Sequence, residues 1–335
     1  VTLYLGAEDI RALITQELAL DAAWRSVRAE QQGEAVLPHR FDLDTANGFM
    51  RLMPAALGDV MGTKMMTVVR GTGNRYLLLL FSQEDGDLTA VLDAGELTRR
   101  RTAAVTVAAG QLLCPDGAEE LAVIGSGFEA EGHLSAFAEV WKLRAVRVYS
   151  PSAERREAFA KRMSEQLDIE VTPVGDVAEA VDGMPAVVLA TKAREPVIDG
   201  DCFAPGAAVL SIGSTRLDLR ELDERAFARS AVVLVDNAAQ VTSESGDVSS
   251  AIASGAIGAE RLVPLSVAAA DPDSIATTVD RDLLTFKSVG TALQDLALAG
   301  ELVAAAKAAG RGRELGELAE LKAMGAPRAA KGATA

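Results

Sequence analysis

The sequence predicts an α/β protein: a doubly wound parallel sheet joined to a second, α+β domain. Three observations predict it. From Leu121 onward, short apolar runs alternate with helical stretches, the pattern of a parallel sheet with right-handed crossovers. Ahead of them, several strand-like runs are divided by turn signals, as in an antiparallel or mixed sheet. Beyond residue 285 one long helical stretch follows the alternation, and it is placed back on the first domain. A chain of 335 residues suits about two domains. The expected division is 1–115, completed by 286–335, and 116–285.

Residues 2–6 read as a short strand. Ala7–Ile14 and Thr15–Gln31 carry apolar residues at three- and four-residue spacing and read as helices, with Gly33 ending the second. Strand signals follow in Val36–Leu43, Gly48–Pro54, Met61–Val69, Tyr76–Phe81 and Leu88–Leu92. Glu96–Leu113 reads as a helix. The alternating part then runs through Leu121–Ile124, a helix to Lys142, Ala145–Tyr149, a helix over Ala153–Leu167, and Ile169–Thr172. Val187–Ala190, Ala208–Ile212 and Ala231–Val235 add further short strands. Phe286–Ala297 opens the long helix, which ends near Ala309. The tail from Gly310 reads as polar helix with a frayed end.

Bulk composition excludes some roles. Lys and Arg number 33 against 48 Asp and Glu, a net charge of −15 that argues against nucleic acid as a partner. Aromatics make up 4% of residues, too few for base-stacking platforms. The two cysteines, Cys114 and Cys202, have no metal-ligand spacing, so no metal site is expected. They fit a reduced compartment. The start of the chain has no basic-then-apolar leader pattern, and no apolar run reaches the ~18 residues of a membrane span. A cytoplasmic protein without a membrane partner is expected.

The most informative stretch is Leu121-Ala-Val-Ile-Gly-Ser-Gly-Phe-Glu-Ala130. A buried strand leads into Gly125-x-Gly127-x-x-Ala130 and then a helix, the fingerprint of a Rossmann dinucleotide turn. Gly125 allows the tight turn, Gly127 lets backbone approach a pyrophosphate, and Ala130 lets helix pack on strand. The helix N-terminus offers free amides to the phosphates. Gly125, Ser126, Gly127, Phe128, Glu129 and Ala130 are therefore candidate cofactor residues.

The second strand of the unit decides between two cofactors. NAD-selective domains carry an acid at its end for the ribose hydroxyls. Here the strand ends Tyr149-Ser150-Pro-Ser152, followed by Arg155 and Arg156. Ser150, Ser152 and Arg155 suit a 2′-phosphate, so NADP(H) is favoured, with NAD(H) open.

Histidine chemistry is unpromising. His133 lies in the helix after the glycine turn, facing sheet or solvent, and His39, in Pro38-His-Arg40, is a residue that could line a pocket. Neither supports a His–Asp dehydrogenase or a Ser–His–Asp hydrolase. Arg51 and Lys64 stand out more, because each interrupts an apolar run. A buried charge needs a partner. Either each is paired with an acid, or alternation turns it to solvent, or both join Arg101 in a clamp for a carboxylate.

Taken in order, these segments carry a resemblance: Arg51-Leu-Met-Pro54, Gly62-Thr-Lys64, Leu97-Thr-Arg-Arg-Arg101-Thr-Ala-Ala104, Gly125–Ala130, Ile212–Asp223, Ser245-Gly-Asp247 and Phe286-Lys-Ser-Val-Gly290. Over about Asp9–Ala309 the chain resembles the ornithine cyclodeaminase/mu-crystallin family. The resemblance implies a homodimer, with a Rossmann domain and a substrate and dimerisation domain built from the N-terminal part and the returning helix. It implies chemistry on small imino or amino acids. By the same resemblance Arg51, Lys64 and Arg101 hold the substrate carboxylate, Lys64 lies nearest the reacting carbon and nitrogen, and Ser288 and Val289 close the pocket. Thr191, Ile212, Gly213 and Ser214 flank the nicotinamide.

One departure narrows the chemistry. The family's cyclodeaminases and alanine dehydrogenases have an aspartate two residues after the glycine matched by Gly213, where this chain has Thr215. Its ketimine reductases have serine there. A hydroxyl is no general base near neutral pH, but it can hydrogen-bond an imine or a water. Lys64 and Thr215 are thus the candidate catalytic residues of an imine or ketimine reductase. Amino-acid dehydrogenase or cyclodeaminase activity stays open, as does an NADP-dependent small-ligand carrier. A purely regulatory module would leave the three cations unexplained.

Overall fold

The structure, a computed structural model, describes residues 1–272 and 282–318. The chain opens with β1 (Leu3–Leu5), α1 (Ala7–Leu13) and α2 (Gln16–Gln32). The Thr15 hydroxyl caps α2 by accepting from the Leu18 amide, and Gly33 closes it at φ +74°. β2 (Ala35–Val36), β3 (Phe41–Thr45), β4 (Gly48–Leu57), β5 (Val60–Val69), β6 (Gly73–Ser82) and β7 (Leu88–Asp93) follow, then α3 (Gly95–Leu113). β4 to β7 pair antiparallel in succession, and β1 joins β7 in parallel, so the sheet is mixed.

Pleat alternation gives this sheet two different faces. Met53 pairs with Lys64, Arg51 with Met66 and Met66 with Tyr76, so these five side chains share one face. Strand residues of the other parity point away from them. Of these, Phe41, Leu43, Met61 and Val69 remain exposed.

The second unit comprises β8 (Glu120–Ile124), α4 (Phe128–Val140), β9 (Ala145–Tyr149), α5 (Ala153–Leu167), β10 (Glu170–Pro173), α6 (Val177–Val181), β11 (Ala186–Leu189) and β12 (Ala208–Ser211). It continues through α7 (Glu224–Arg229), β13 (Ser230–Val235), α8 (Ala238–Glu244), α9 (Gly246–Ala253), β14 (Leu262–Pro264) and α10 (Leu265–Ala270). After it come β15 (Leu283–Lys287), α11 (Ala292–Ala309) and β16 (Arg313–Glu314). The all-parallel order is β10-β9-β8-β11-β12-β15-β13-β14. The chain reverses direction across the sheet between β8 and β11, and ligands of such sheets bind in the crevice at that point.

Two expectations for the C-terminal part are corrected. The helix expected from Phe286 begins at Ala292 instead, and Leu283–Lys287 is a fully buried strand between β12 and β13. A strand buried on both faces reads as an unbroken apolar run, and Lys287 disguises this one. Gly290, at φ +76°, turns the chain from strand to helix. The parallel sheet is therefore completed at 287, later than the expected division at 285. In the tail, residues 313–314 pair antiparallel with β1 where a helix is expected. The remainder, 319–335, lies outside the described residues. α11 does pack back on the first sheet: its residues 292–299 are all buried, against β4, β5, α2 and α3.

Candidate active site

The glycine turn has the shape its sequence requires. Gly125 sits at φ +124°, and a Cβ there would stand 2.5 Å from the Ala190 carbonyl oxygen. At Gly127 a Cβ would meet nothing within 4 Å, so open space lies before the α4 N-terminus. No side chain caps α4. Its first amides are therefore left for a ligand, and a pyrophosphate fits them. Phe128 is exposed with the Arg99 guanidinium 4.6 Å from its ring centroid, and Ala130 is fully buried against the strand.

A cavity of about 360 Å³ opens beside this turn, between the two sheets. The mixed sheet and α3 contribute Arg51, Lys64, Tyr76 and Arg101. The second unit contributes Glu129 from α4 and Thr191, Ile212, Gly213, Thr215, Ser288 and Val289 from the loops beyond β11, β12 and β15. All three clamp cations thus reach one space. The solvent-facing alternative for Arg51 and Lys64 does not hold, since they are 6% and 2% exposed. Both are also ion-paired. Arg51 donates two hydrogen bonds of 2.6 Å to Asp42, and Lys64 Nζ lies 2.7 Å from Asp295 Oδ2. Arg101 donates to Asp295 Oδ1 at 2.8 Å and to Gln294 Oε1 at 2.8 Å.

Burial and the charge of Arg101 pull the Lys64 ammonium down from its ordinary value near 10.5 to about 7, against the opposing pull of Asp295. Lys64 can therefore gain or lose a proton near neutrality. Burial pushes the Glu129 carboxyl up, with Arg101 and Lys192 opposing. Its Oε2 is buried without a hydrogen-bond partner.

The loops of Thr191 and Gly213, expected to flank the nicotinamide, hang on a buried charge network. Glu221 accepts from the Thr191 amide at 2.6 Å and from the Gly213 amide and Ser211 hydroxyl at 2.7 Å each. Lys287 Nζ donates to Ser211 Oγ at 2.8 Å and lies 3.0 Å from Asp247 Oδ2 and 3.8 Å from Glu221 Oε2. Gly213 must be glycine, because a Cβ would come within 2.1 Å of the Thr191 oxygen. Asp236 holds the other loop, accepting from Ser288 Oγ at 2.7 Å and from the Gly290 amide at 2.6 Å.

Not every candidate faces the cavity. The Ser214 hydroxyl turns into its own loop, donating to the Leu219 carbonyl at 2.6 Å. Ser126 donates to Ser150 at 2.9 Å, outside the cavity and beside the β9 end. Ser152 caps α5 by accepting from the Arg155 amide. Arg155 itself is exposed, and Arg156 is the residue that reaches back to the Ser150 carbonyl, at 3.1 Å. His133 faces neither sheet nor solvent. It is fully buried against α3, 3.0 Å from Thr106 Oγ1 and 2.7 Å from the Glu129 carbonyl, and burial lowers it to about 4. His39 is exposed and stays off the cavity wall.

Its neighbour Arg40 does line the cavity. It donates to the carbonyls of Val289 at 3.1 Å and Thr215 at 3.3 Å, and it pairs with Glu244, so it ties the first sheet to both Rossmann loops. Burial, then the charge of Arg51, lowers it to about 10. Arg40 sits in a loop run with no periodicity to mark it. Asp295 and Lys287 do carry a signal in the sequence: each is a charge inside an apolar stretch, as Arg51 and Lys64 are; Asp247, in the polar run Ser243–Ser250, has none of this kind.

A parallel sheet ending in a glycine turn, with a cavity lined by Arg51, Lys64 and Arg101 and closed by a second sheet, defines the class of dinucleotide-binding α/β proteins. The chain belongs to the ornithine cyclodeaminase/mu-crystallin family, which it matches over residues 1–309. It is 33% identical over 310 residues to the mouse (Mus musculus) ketimine reductase mu-crystallin, covering 88% of this chain and 95% of that one. Among solved structures it resembles Thermococcus litoralis Δ1-pyrroline-2-carboxylate reductase in complex with NADH and L-proline. The TM-score is 0.86 at 27% identity, over 93% of this chain and all of that one. It also resembles an archaeal alanine dehydrogenase dimer with bound NAD, with a TM-score of 0.84 at 26% identity over 93% and 98% of the two chains.

Proposed function

We propose that the protein reduces the C=N bond of a small imino acid or cyclic ketimine to the L-amino acid, using NAD(P)H. The observation that carries this is the meeting of Arg51, Lys64 and Arg101 in one cavity beside the glycine turn. A bound dihydronicotinamide supplies the hydride to the imine carbon. Arg51 and Arg101 hold the substrate carboxylate and so orient that carbon. The Lys64 ammonium gives its proton to the imine nitrogen as the C=N π pair becomes the nitrogen lone pair, and the neutral amine later regains a proton from solvent. Thr215 offers a hydroxyl where a base is needed for cyclodeamination, which favours reduction. The names of the mouse and Thermococcus relatives agree with this chemistry. The test is NAD(P)H oxidation with a panel of cyclic ketimines and with 2-oxo acids plus amines. Tight cofactor binding with no turnover on any of them would favour a carrier.

NADP(H) is the cofactor we favour. The β9 end presents Ser150 and Ser152 with Arg156 behind them, and no acid stands there to repel a 2′-phosphate. Ser150→Asp is expected to raise the KM for NADPH at least tenfold, about 1.4 kcal/mol, while sparing NADH. Equal kinetics with the two cofactors before and after the change would refute the preference.

The working protein is a homodimer in this reading. Phe41, Leu43, Met61 and Val69 leave the outer face of the mixed sheet apolar, as a self-complementary interface requires. Light scattering during gel filtration should give twice the 35.0 kDa chain mass. A species of single-chain mass at micromolar concentration would contradict it.

A further inference from the structure

Asp295 lies in the run Leu293-Gln-Asp-Leu-Ala-Leu298 of α11, with none of its surface exposed. Its two oxygens are divided between two cations. Oδ1 accepts from Arg101 Nε at 2.8 Å, and Oδ2 lies 2.7 Å from Lys64 Nζ. Gln294 fixes a second guanidinium nitrogen of Arg101. Gly290 leaves room for the same group, since a Cβ there would stand 2.5 Å from Arg101 Nη1. Three elements, β5, α3 and α11, therefore meet at one carboxylate directly behind the cavity wall. A buried charge cluster is weak evidence for stability, since well-packed apolar residues often serve as well. Its geometry points to the reaction instead.

We propose that Asp295 is a positioning residue: it sets the spacing of Lys64 and Arg101 and keeps the Lys64 ammonium protonated for the reduction. The proposal rests on the reading of Lys64 given above. The charged groups facing Lys64 are Arg101 from α3, Arg40 from the loop before β3, Arg51 from β4, Glu129 from α4 and Asp295 from α11. Asp295 is the anion in direct contact. Without it, burial, Arg101 and Arg40 all oppose a charge on Lys64, and the proton is lost at lower pH.

The test is Asp295→Asn, which keeps shape and removes charge, with kcat and KM measured across pH and NAD(P)H affinity measured by fluorescence. Expected are a fall in kcat of more than about tenfold at neutral pH and a shift of the alkaline limb by ~1 pH unit or more toward acid. Cofactor affinity should be unchanged. Asp295→Glu retains the charge one methylene further out and should lower kcat with the limb in its original place. It also serves if the Asn variant does not fold. An alkaline limb that stays put in Asp295→Asn, or that moves in Asp295→Glu, while Lys64→Ala is inactive, would overturn the role of Asp295 alone. Near-normal turnover in Lys64→Ala would overturn the reading on which the proposal rests.

Discussion

Lys64→Ala is expected to lower kcat for imine reduction roughly 10²–10⁴-fold, the usual contribution of a positioned acid, while leaving NAD(P)H affinity unchanged. Two features of the site make the effect large. Lys64 is buried on the cavity face of β5, so no water can reach the imine nitrogen from the same direction once the substrate fills the cavity. It also titrates near 7, where it both holds a proton and gives it up. The sign of the pH dependence follows. Reduction consumes protonated Lys64, so kcat/KM for the imine falls as pH rises through about 7. Oxidation of the amino acid needs the neutral amine and rises through the same value. Lys64→Arg keeps the charge but not the transferable proton, and should remain slow at every pH. Cofactor affinity should be spared because the α4 N-terminus, proposed to hold the phosphates, is not touched by Lys64. Near-normal turnover in Lys64→Ala, on an imine that the unaltered enzyme reduces, would remove Lys64 from the chemistry.

Much of the architecture is legible in the sequence because local rules suffice for it. Gly125, Gly127 and Ala130 define a turn only a few residues long. Thr15 and Gly33 mark the two ends of α2 through their own backbone chemistry. Arg51 and Lys64 stand out because each interrupts an apolar run, but alternation leaves open which way the charge points, and only the structure buries them. Partnership is not local, and there the sequence is silent. Lys64 and Asp295 are 231 positions apart by their numbers, and only the packing of α11 on β5 joins them. Phe286 misleads for a related reason. Lys287 makes the strand look half-exposed, and the anions that neutralise it, Glu221 and Asp247, come from other segments. Ser214 turns into its own loop, and Arg156 rather than Arg155 reaches back to the Ser150 carbonyl. Side-chain direction in a loop is set by what the neighbouring loops offer.

The buried network under the Thr191 and Gly213 loops carries the second large effect, on stability. Lys287 has no exposed surface and lies between the carboxylates of Glu221 and Asp247, which are equally buried. Lys287→Met keeps the length and removes the one cation that, among the described residues, pairs with these acids. Breaking a buried pair in this way costs about 3–5 kcal/mol, or roughly 6–20 °C in melting temperature at ~2–4 °C per kcal/mol. Burial already pushes the Glu221 carboxyl up, and Lys287 is the first of the groups that oppose this. In the variant that opposition is gone, so Glu221 takes a proton on folding over a wider pH range. A carboxyl whose folded value lies above its unfolded one costs stability as pH rises from the unfolded value through the folded one. The deficit should therefore be smallest at acid pH and grow toward neutrality. Glu221 also holds the Thr191 and Gly213 amides, so dinucleotide affinity should weaken with it. Adding Glu221→Gln and Asp247→Asn to Lys287→Met removes the stranded charges and should recover part of the melting temperature. A drop of less than about 2 °C in Lys287→Met, or one independent of pH, would mean that the lysine does not hold Glu221 in its charged form.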